Sequence, residues 1–319
     1  MGKVAAIVLK WLAVAAILFV AFSLAAVLSG VAGPQPAPVA GAPGGLPGAG
    51  PGAPAAGSEQ AAGALSLLLM CALVSGAFSW AIVRSTASGP RLVLAVLIAY
   101  FGLGTFLPQI ESALFLPRHL PPGFVTRLFV MGAISTVVFA PAAVLIWGRQ
   151  RKPVATTPDA APKGLSVRSV LVRTSLLAVV YVAVYMLAGY FIAFRNPEVL
   201  AYYNDTDPGS FAAQVSKIWS TAPWFFGFQF ARGVLWVVVV LPLIAWLRGG
   251  RVESALLTAC LYTVWVVMLL APNPYMPAPV RMTHLVETTC SNLFFGVLVG
   301  AVLWRRHGTG SGPLPAAQG

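Results

Sequence analysis

Ionisable side chains occur inside several long apolar stretches of the sequence. Arg232 lies in "WFFGFQFARGVLWVVVVLPLIAW", Glu111 in "LPQIESALF", and His284 with Glu287 in "RMTHLVETTCSNLFFG". A charge at the centre of a membrane-spanning helix costs at least ~2.5–3.5 kcal/mol, so such a group requires a partner. These side chains are therefore the candidates for acid–base catalysis, for cation, proton or metal binding, or for a structural ion pair.

Arg232 is the residue that most requires a negatively charged partner. It lies about 15 Å along its apolar stretch at 1.5 Å per residue, too deep for its head group to reach water easily. Gln229 lies one turn away on the same face. The acids within apolar stretches are Glu111 and Glu287. We therefore predict that at least one of these acids pairs with Arg232, and we place Arg281 at the surface.

The remaining polar residues leave the chemistry open. His284 and Glu287 share one helix face because they are three residues apart, and Asn292 is a neighbour of that face. One interpretation is a structural ion pair, and another is an outward-facing pocket in which Glu111 or Glu287 binds a cation or proton or acts as an acid or base on a lipid-like substrate. A third is a metal site formed by His284, Glu287 and Glu111, with His119 as a further ligand. No cofactor is predicted.

The composition indicates which class of protein must position these residues. The 319-residue chain is 58% hydrophobic and only 9% charged, whereas soluble domains carry about 25% charged residues. Most of the surface must therefore face lipid. The net charge of +12 comes from basic residues in short loops between apolar runs, which is the pattern of membrane orientation and not of nucleic-acid binding.

Eight segments are long and apolar enough to span a membrane, given that a span needs about 20 residues. We predict an all-α, polytopic transmembrane bundle of one integral membrane domain, residues 1–319. The third segment is interrupted by Pro108. The first also has the features of a secretory signal peptide, whose removal would leave seven spans. The predicted spans are residues 11–31, 63–83, 92–115, 125–147, 174–194, 222–247, 253–271 and 280–304.

The distribution of lysine and arginine predicts the orientation of the bundle. Fourteen of these residues fall on the side that holds both termini and five fall on the other, so we expect both termini in the cytoplasm. The cell membrane, most plausibly the bacterial cytoplasmic membrane, is the expected location. The fourteen residues are Lys3, Lys10, Arg84, Arg91, Arg149, Arg151, Lys152, Lys163, Arg168, Arg173, Arg248, Arg251, Arg305 and Arg306.

The segments between the spans differ in composition. Residues 33–60 are rich in Pro, Gly and Ala, which predicts a disordered outer loop. Residues 148–167 predict a flexible basic cytoplasmic loop, and residues 307–319 a disordered tail. The outer loop 195–221 predicts short interfacial helices, because Asn196 and Pro197 form a helix start and "SFAAQVSKIW" has one apolar face. This loop is either an interfacial anchor or a lid.

The sequence contains none of the common catalytic signatures: no H-E-x-x-H, no G-x-S-x-G and no P-loop. Three classes of function therefore remain. The first is a binding or transport protein for a small molecule or lipid, with the lipid bilayer as its surroundings. The second is a membrane-embedded enzyme that uses Glu111, His284 and Glu287 at the outer leaflet. The third is a non-catalytic accessory subunit or sensor. The sequence does not specify an oligomeric state.

Overall fold

A computed structural model of the chain describes residues 2–33, 56–150 and 166–304. Helix accounts for 82% of these residues, and none of them forms a strand. Eight helical segments in the described part of the chain are long and apolar enough to cross a membrane. The predicted all-α class is therefore confirmed, and the number of helices that could span a membrane equals the predicted eight.

The helices follow the predicted spans closely, with shifts at their ends. The first span is longer than predicted and starts at Gly2, because the lysines in its first ten residues are good helix formers. The elements are α1 (Gly2–Leu28), α2 (Ala56–Arg84), α3 (Gly89–Phe101), a π-helical turn (Gly102–Phe106), α4 (Leu107–Phe115), α5 (Phe124–Ile146), α6 (Val167–Phe191), a 3₁₀ turn (Ala193–Arg195), α7 (Pro197–Tyr202), α8 (Phe211–Thr221), α9 (Trp224–Ala245), α10 (Arg251–Thr263), a 3₁₀ helix (Val264–Leu270) and α11 (Ala278–Leu303).

The third span is continuous although it contains a proline. Pro108 has no N–H group, and its ring would clash with the carbonyl four residues earlier in an α-helix. The preceding residues Gly102–Phe106 widen into a π-helical turn, and the Leu107 N–H donates to the carbonyl of Gly102 five residues back. This wider turn accommodates the proline and sets the direction in which Glu111 on α4 points.

Close helix packing uses small residues. A Cβ atom at Gly296 on α11 would lie 2.5 Å from the Cα of Ala259 on α10, and one at Gly300 would overlap the Ser254 carbonyl. Small residues allow two helix backbones to approach each other closely in this way. The first helix is also part of the core, because α1 buries Val14 and Leu18 against α2 and α5.

The bundle has two distinct ends. We call the end at which α1 begins and α11 finishes the terminal end, and the opposite end, which carries α7 and α8, the loop end. At the loop end, the Asn196 side chain accepts from the N–H of Glu198 at the start of α7, and Ser210 accepts from the N–H of Ala213 at the start of α8. These caps explain why the segment between α6 and α9 forms two short helices.

Arg281 differs from its predicted place at the surface. The side chain is buried, with 8% of the residue exposed. Its guanidinium donates to the carbonyls of Leu269 at 3.0 Å, Ala271 at 2.5 Å and Met276 at 3.1 Å. The carbonyls at the end of a helix lack partners within the helix. Arg281 therefore closes the end of the seventh span.

Several predicted flexible segments fall wholly or partly outside the described residues. Of the predicted outer loop 33–60, residues 34–55 are outside, and residues 56–60 form the start of α2. Of the predicted basic loop 148–167, residues 151–165 are outside, as is the whole of the predicted tail 307–319.

Candidate functional site

Arg232 forms a buried ion pair with Glu111, which connects α9 to α4. The arginine is 3% exposed. Its Nη2 donates to Glu111 Oε2 at 2.5 Å, and its Nη1 donates to Gln229 Oε1 at 2.9 Å one turn away. Of the two acids proposed from the sequence as partners of Arg232, Glu111 makes the contact.

The carboxylate of Glu111 has a second partner and is still partly accessible. The hydroxyl of Tyr185 on α6 donates to Glu111 Oε1 at 2.9 Å. The Glu111 side chain nevertheless remains 33% exposed, compared with 4% for the Arg232 side chain. The ion pair is therefore buried on the arginine side and open on the carboxylate side.

Aromatic rings surround the guanidinium of Arg232. Its central carbon lies 5.8 Å from the ring centroid of Tyr181, 5.7 Å from that of Tyr185 and 5.8 Å from that of Phe228. The electron-rich faces of such rings attract a cation within about 6 Å. Rings and carboxylate together stabilise a charge that an apolar span could not otherwise hold.

A second pair of ionisable side chains lies on α11. His284 Nδ1 is 2.6 Å from Glu287 Oε2, and His284 Nε2 is 3.1 Å from the hydroxyl of Tyr203, which follows α7. A neutral imidazole in this position donates from Nδ1 to the carboxylate and accepts from the tyrosine at Nε2. Glu287 is thus bonded to His284 and not to Arg232.

Tyr203 connects the two pairs. Burial raises the pKa of the Tyr203 hydroxyl above its ordinary value, and the negative charges of Glu111 and Glu287 raise it further. The Tyr203 hydroxyl is therefore hydrogen-bonded to the second pair through His284 and is affected by the charges of both carboxylates. We call the whole set the polar cluster: Glu111, Tyr185, Tyr203, Gln229, Arg232, His284 and Glu287.

Asn292 lies outside the polar cluster and has a structural role. Its Nδ2 donates to the carbonyl of Tyr262 at 2.9 Å. The Tyr262 hydroxyl donates to the carbonyl of Trp236 at 2.6 Å, and Trp236 Nε1 donates to the Tyr181 hydroxyl at 3.2 Å. Asn292 therefore fixes α10 and α9 below the cluster.

Two donors in the centre of the polar cluster are unused. Gln229 Nε2 and Arg232 Nε are buried, and neither has a hydrogen-bond partner among the described residues. Gln229 is 0% exposed and Arg232 is 3% exposed. A buried donor without an acceptor costs about 1–3 kcal/mol. The centre of the cluster therefore holds two enclosed donors whose hydrogen-bonding capacity is unsatisfied.

Two apolar grooves lie beside the cluster at the loop end. One has a volume of about 430 Å³ and lies between α6, α8 and α9, with Met186 and Phe211 among its lining residues. The other has a volume of about 440 Å³ and is lined by residues of α4 and α9 that include Ile110 and Phe228. Phe228 also faces Arg232. The second groove is therefore separated from the ion pair by a single side chain.

The metal-site interpretation is not supported by the geometry. The described ranges contain no group of three or more His, Cys, Asp or Glu residues that could hold a metal ion. His119 lies instead against Tyr202, whose carbonyl is 3.1 Å from His119 Nε2. Burial lowers the pKa of His119, so its neutral form is favoured.

The sequence reasoning identified the charged members of the cluster but missed the tyrosines. Tyr181 and Tyr185 are four residues apart on α6, a spacing that places two side chains on one face and could have drawn attention to them. Tyr203 lies in a loop segment that was interpreted only as an anchor or lid.

Comparisons with protein-family models, with curated proteins and with solved structures found no match to this chain.

Proposed function

We propose that this chain is an integral membrane protein of the binding or transport class, and that its polar cluster binds a small molecule or a lipid head group. The observation that carries this proposal is the pair of unused donors, Gln229 Nε2 and Arg232 Nε, beside the partly exposed carboxylate of Glu111. A purely structural ion pair needs no such spare donors, whereas a binding site needs groups that remain available to a ligand.

The chemistry of the cluster favours an amphiphilic ligand with a polar head. The donors of Arg232 and Gln229 suit an acceptor such as a phosphate or carboxylate. The carboxylates of Glu111 and Glu287 suit a cationic group or a proton. The apolar groove lined by Ile110 and Phe228 lies next to these groups and suits a hydrocarbon chain. A lipid or a lipid-like small molecule satisfies all three requirements.

The charge distribution supports an orientation in which the polar cluster opens to the outside. Lysine and arginine are concentrated at the terminal end, and such residues remain on the cytoplasmic side during insertion. We therefore propose a location in the cytoplasmic membrane of a bacterium with both termini inside. We also propose that α1 is retained as a span, because Val14 and Leu18 belong to the core of the bundle.

A second candidate function is that of a membrane-embedded enzyme. The observation that favours it is the chain of hydrogen bonds from Tyr203 through His284 to Glu287, since a carboxylate behind an imidazole strengthens it as a base. Glu111, the third residue of the predicted catalytic set, is bonded to Arg232 and Tyr185 instead.

The closed ion pair would also be compatible with an accessory subunit, for which no ligand is required.

Ligand retention separates the binding class from the accessory class. The wild type, Arg232→Leu/Glu111→Leu and the control Arg84→Leu/Glu253→Leu are purified in one detergent, and their organic extracts are compared by mass spectrometry. We expect a compound that is enriched about tenfold in the wild type and the control over the Arg232→Leu/Glu111→Leu protein. Identical extracts from all three proteins, with all three folded, would leave the ion pair as a structural element only.

The proposed orientation is tested separately by cysteine labelling. Ser210→Cys at the start of α8 should react with a membrane-impermeant maleimide in intact cells, whereas Thr157→Cys should react only after the cells are opened. Labelling of position 157 in intact cells would contradict the orientation.

A further inference from the structure

We propose that an arginine cluster at the terminal end, formed by Arg91, Arg149 and Arg248, binds the phosphate of an anionic phospholipid head group. This site lies at the opposite end of the bundle from the polar cluster. It depends on different residues and does not rest on the function proposed above.

Hydrogen bonds hold three interhelical connections together at this end. The Arg248 N–H donates to the carbonyl of Arg84 at 2.9 Å, and the Thr86 N–H donates to the carbonyl of Trp246 at 2.6 Å. The N–H of Gly89, where α3 begins, donates to the carbonyl of Arg149 at 2.7 Å. The residues that follow α2, α5 and α9 thus form one ordered surface.

Arg149 is part of this surface through its side chain as well. Its Nη2 donates to the carbonyls of Ser85 and Ala87 in the connection between α2 and α3. Its Nε is buried and has no hydrogen-bond partner among the described residues. Burial and the neighbouring positive charge of Arg248 lower the pKa of Arg149. Arg149 and Arg248 are thus bonded to the carbonyls of two consecutive residues, Ser85 and Arg84, at the end of α2.

The nearest acid on this surface does not neutralise these two arginines. Glu253 is bonded through both oxygens to Arg84, at 2.6 and 2.7 Å, and accepts from Trp80 Nε1 at 3.0 Å. Its bonding capacity is used by Arg84 and Trp80. Arg149 and Arg248 have no carboxylate partner among residues 2–33, 56–150 and 166–304. Within the described part of the chain, the positive charge at this position is therefore not neutralised.

The third member of the cluster, Arg91, lies two residues from Gly89, whose N–H donates to the Arg149 carbonyl, and adds charge at the same end of the bundle. Arg91 is exposed on the first turn of α3. Ser88, which precedes this helix, makes no capping bond with its side chain, so the first turn adds a partial positive charge of its own. This contribution is secondary to the three guanidinium groups.

The position of the cluster identifies the anion as a lipid head group. The arginines lie directly at the ends of apolar helices, together with Trp147 and Trp246, and tryptophan is enriched at the level of the head groups. Anionic lipids attract basic residues at this level. Guanidinium groups bind phosphate through paired N–H donors, which makes arginine better suited to this role than lysine.

Native mass spectrometry of the full chain in detergent tests the proposal, with phosphatidylglycerol, phosphatidylcholine and inorganic phosphate as separate probes. The variant Arg91→Gln/Arg248→Gln leaves Arg149 and its carbonyl bonds in place. We expect the wild type to bind phosphatidylglycerol more tightly than phosphatidylcholine, and the variant to bind it roughly 30-fold more weakly, as follows from losing two basic residues near the surface.

Two further variants complete the test. Arg118→Gln/Arg127→Gln removes the same charge from the loop end and should change the affinity for phosphatidylglycerol less than about threefold. Arg91→Lys/Arg248→Lys keeps the charge but loses the paired donors, and its affinity should lie between those of the wild type and of Arg91→Gln/Arg248→Gln. Equal binding of both lipids, an equal loss in the loop-end variant, or displacement of phosphatidylglycerol by an equimolar concentration of inorganic phosphate would overturn the assignment.

Discussion

Two arginine–glutamate pairs of similar geometry lie in different surroundings in the described part of the molecule. At the loop end, Arg232 and Glu111 are 2.5 Å apart, with 4% and 33% of their side chains exposed. At the terminal end, Arg84 and Glu253 are 2.6 Å apart, with 44% and 22% exposed. The terminal-end pair has more hydrogen bonds between its members, because both oxygens of Glu253 accept from Arg84.

From this difference we expect burial, and not the number of hydrogen bonds, to determine how much each pair affects the stability of the protein. An exposed ion pair is screened by water and salt and contributes little. A buried pair contributes little net free energy when intact, but removal of Glu111 would leave the Arg232 side chain, which is 4% exposed, with a charge that cannot be solvated. The loop-end pair should therefore tolerate single substitutions far less well than the terminal-end pair.

The largest expected effects are those of Glu111→Leu and Arg232→Leu. Glu111→Leu leaves the buried guanidinium of Arg232 without its anion and should destabilise the protein by about 3–5 kcal/mol, and Arg232→Leu should destabilise it less, because the Glu111 side chain that it leaves unpaired is 33% exposed. Thermal unfolding of the purified protein measures the loss. Arg232→Leu/Glu287→Leu is the control and should be no more stable than the single variant, because Glu287 is bonded to His284. Recovery in this control would mean that Glu287 is the true partner of Arg232.

A substitution that disturbs helix packing should cause the next largest loss of stability, and this loss should exceed that caused by breaking the terminal-end pair. A Cβ at Gly296 would lie 2.5 Å from Ala259 Cα, whereas a Cβ at Gly227 would meet nothing within 4 Å. We expect Gly296→Ala to destabilise the protein by about 1–3 kcal/mol and Gly227→Ala to be neutral or stabilising. Equal thermal stabilities of the two variants would show that α10 and α11 are not in close contact.

A smaller effect should appear in the pH dependence of stability through His119. Burial lowers the pKa of His119 in the folded protein, and its Nδ1 is buried without a hydrogen-bond partner among the described residues. The unfolded chain therefore binds a proton that the folded protein does not. The contribution of His119 to the free energy of unfolding should be complete above the pKa of the unfolded histidine, about 6.5, and should decrease as the pH drops below that value.

This pH effect is measured by thermal unfolding between pH 8 and pH 5 for the wild type and for His119→Gln, in which the titrating group is absent. We expect a shallower loss of melting temperature at low pH in the variant. Parallel curves for the two proteins would assign the acid sensitivity to other groups.

The smallest expected effect is that of Arg84→Leu. Its side chain is 44% exposed, so the loss of stability should be slight and should shrink further when the salt concentration rises. Melting temperatures at low and high sodium chloride test this expectation. A loss that matches that of Arg232→Leu at both salt concentrations would remove the contrast between the two ends.

The sequence predicted the fold better than the site. The eight spans follow from the lengths of apolar runs, which are local properties of the chain. The interruption at Pro108 is visible in the sequence. The π-helical turn that accommodates it was not predicted, because it depends on a hydrogen bond between residues five apart instead of four. The position at which α7 begins was predicted, because Asn196 and Pro197 form a local signal for the start of a helix.

The identity of the partner of Arg232 could not be predicted from the sequence. Glu111 and Glu287 were both placed in the same half of the bundle, and the choice between them depends on how each helix is rotated about its axis. The π-helical turn before α4 sets that rotation for Glu111. The burial of Arg281 was also missed, because its carbonyl partners, which include Leu269, are up to 12 residues away in the sequence.

The most direct test of this account is a pair of double-mutant cycles measured by thermal unfolding under one set of conditions. One cycle uses Arg232→Leu and Glu111→Leu, and the other uses Arg84→Leu and Glu253→Leu. The account predicts that Glu111→Leu restores most of the stability lost in Arg232→Leu. The coupling free energy between the two residues should therefore be large at the loop end and near zero for the pair at the terminal end. Equal couplings in the two cycles, or no rescue of Arg232→Leu by Glu111→Leu, would contradict it.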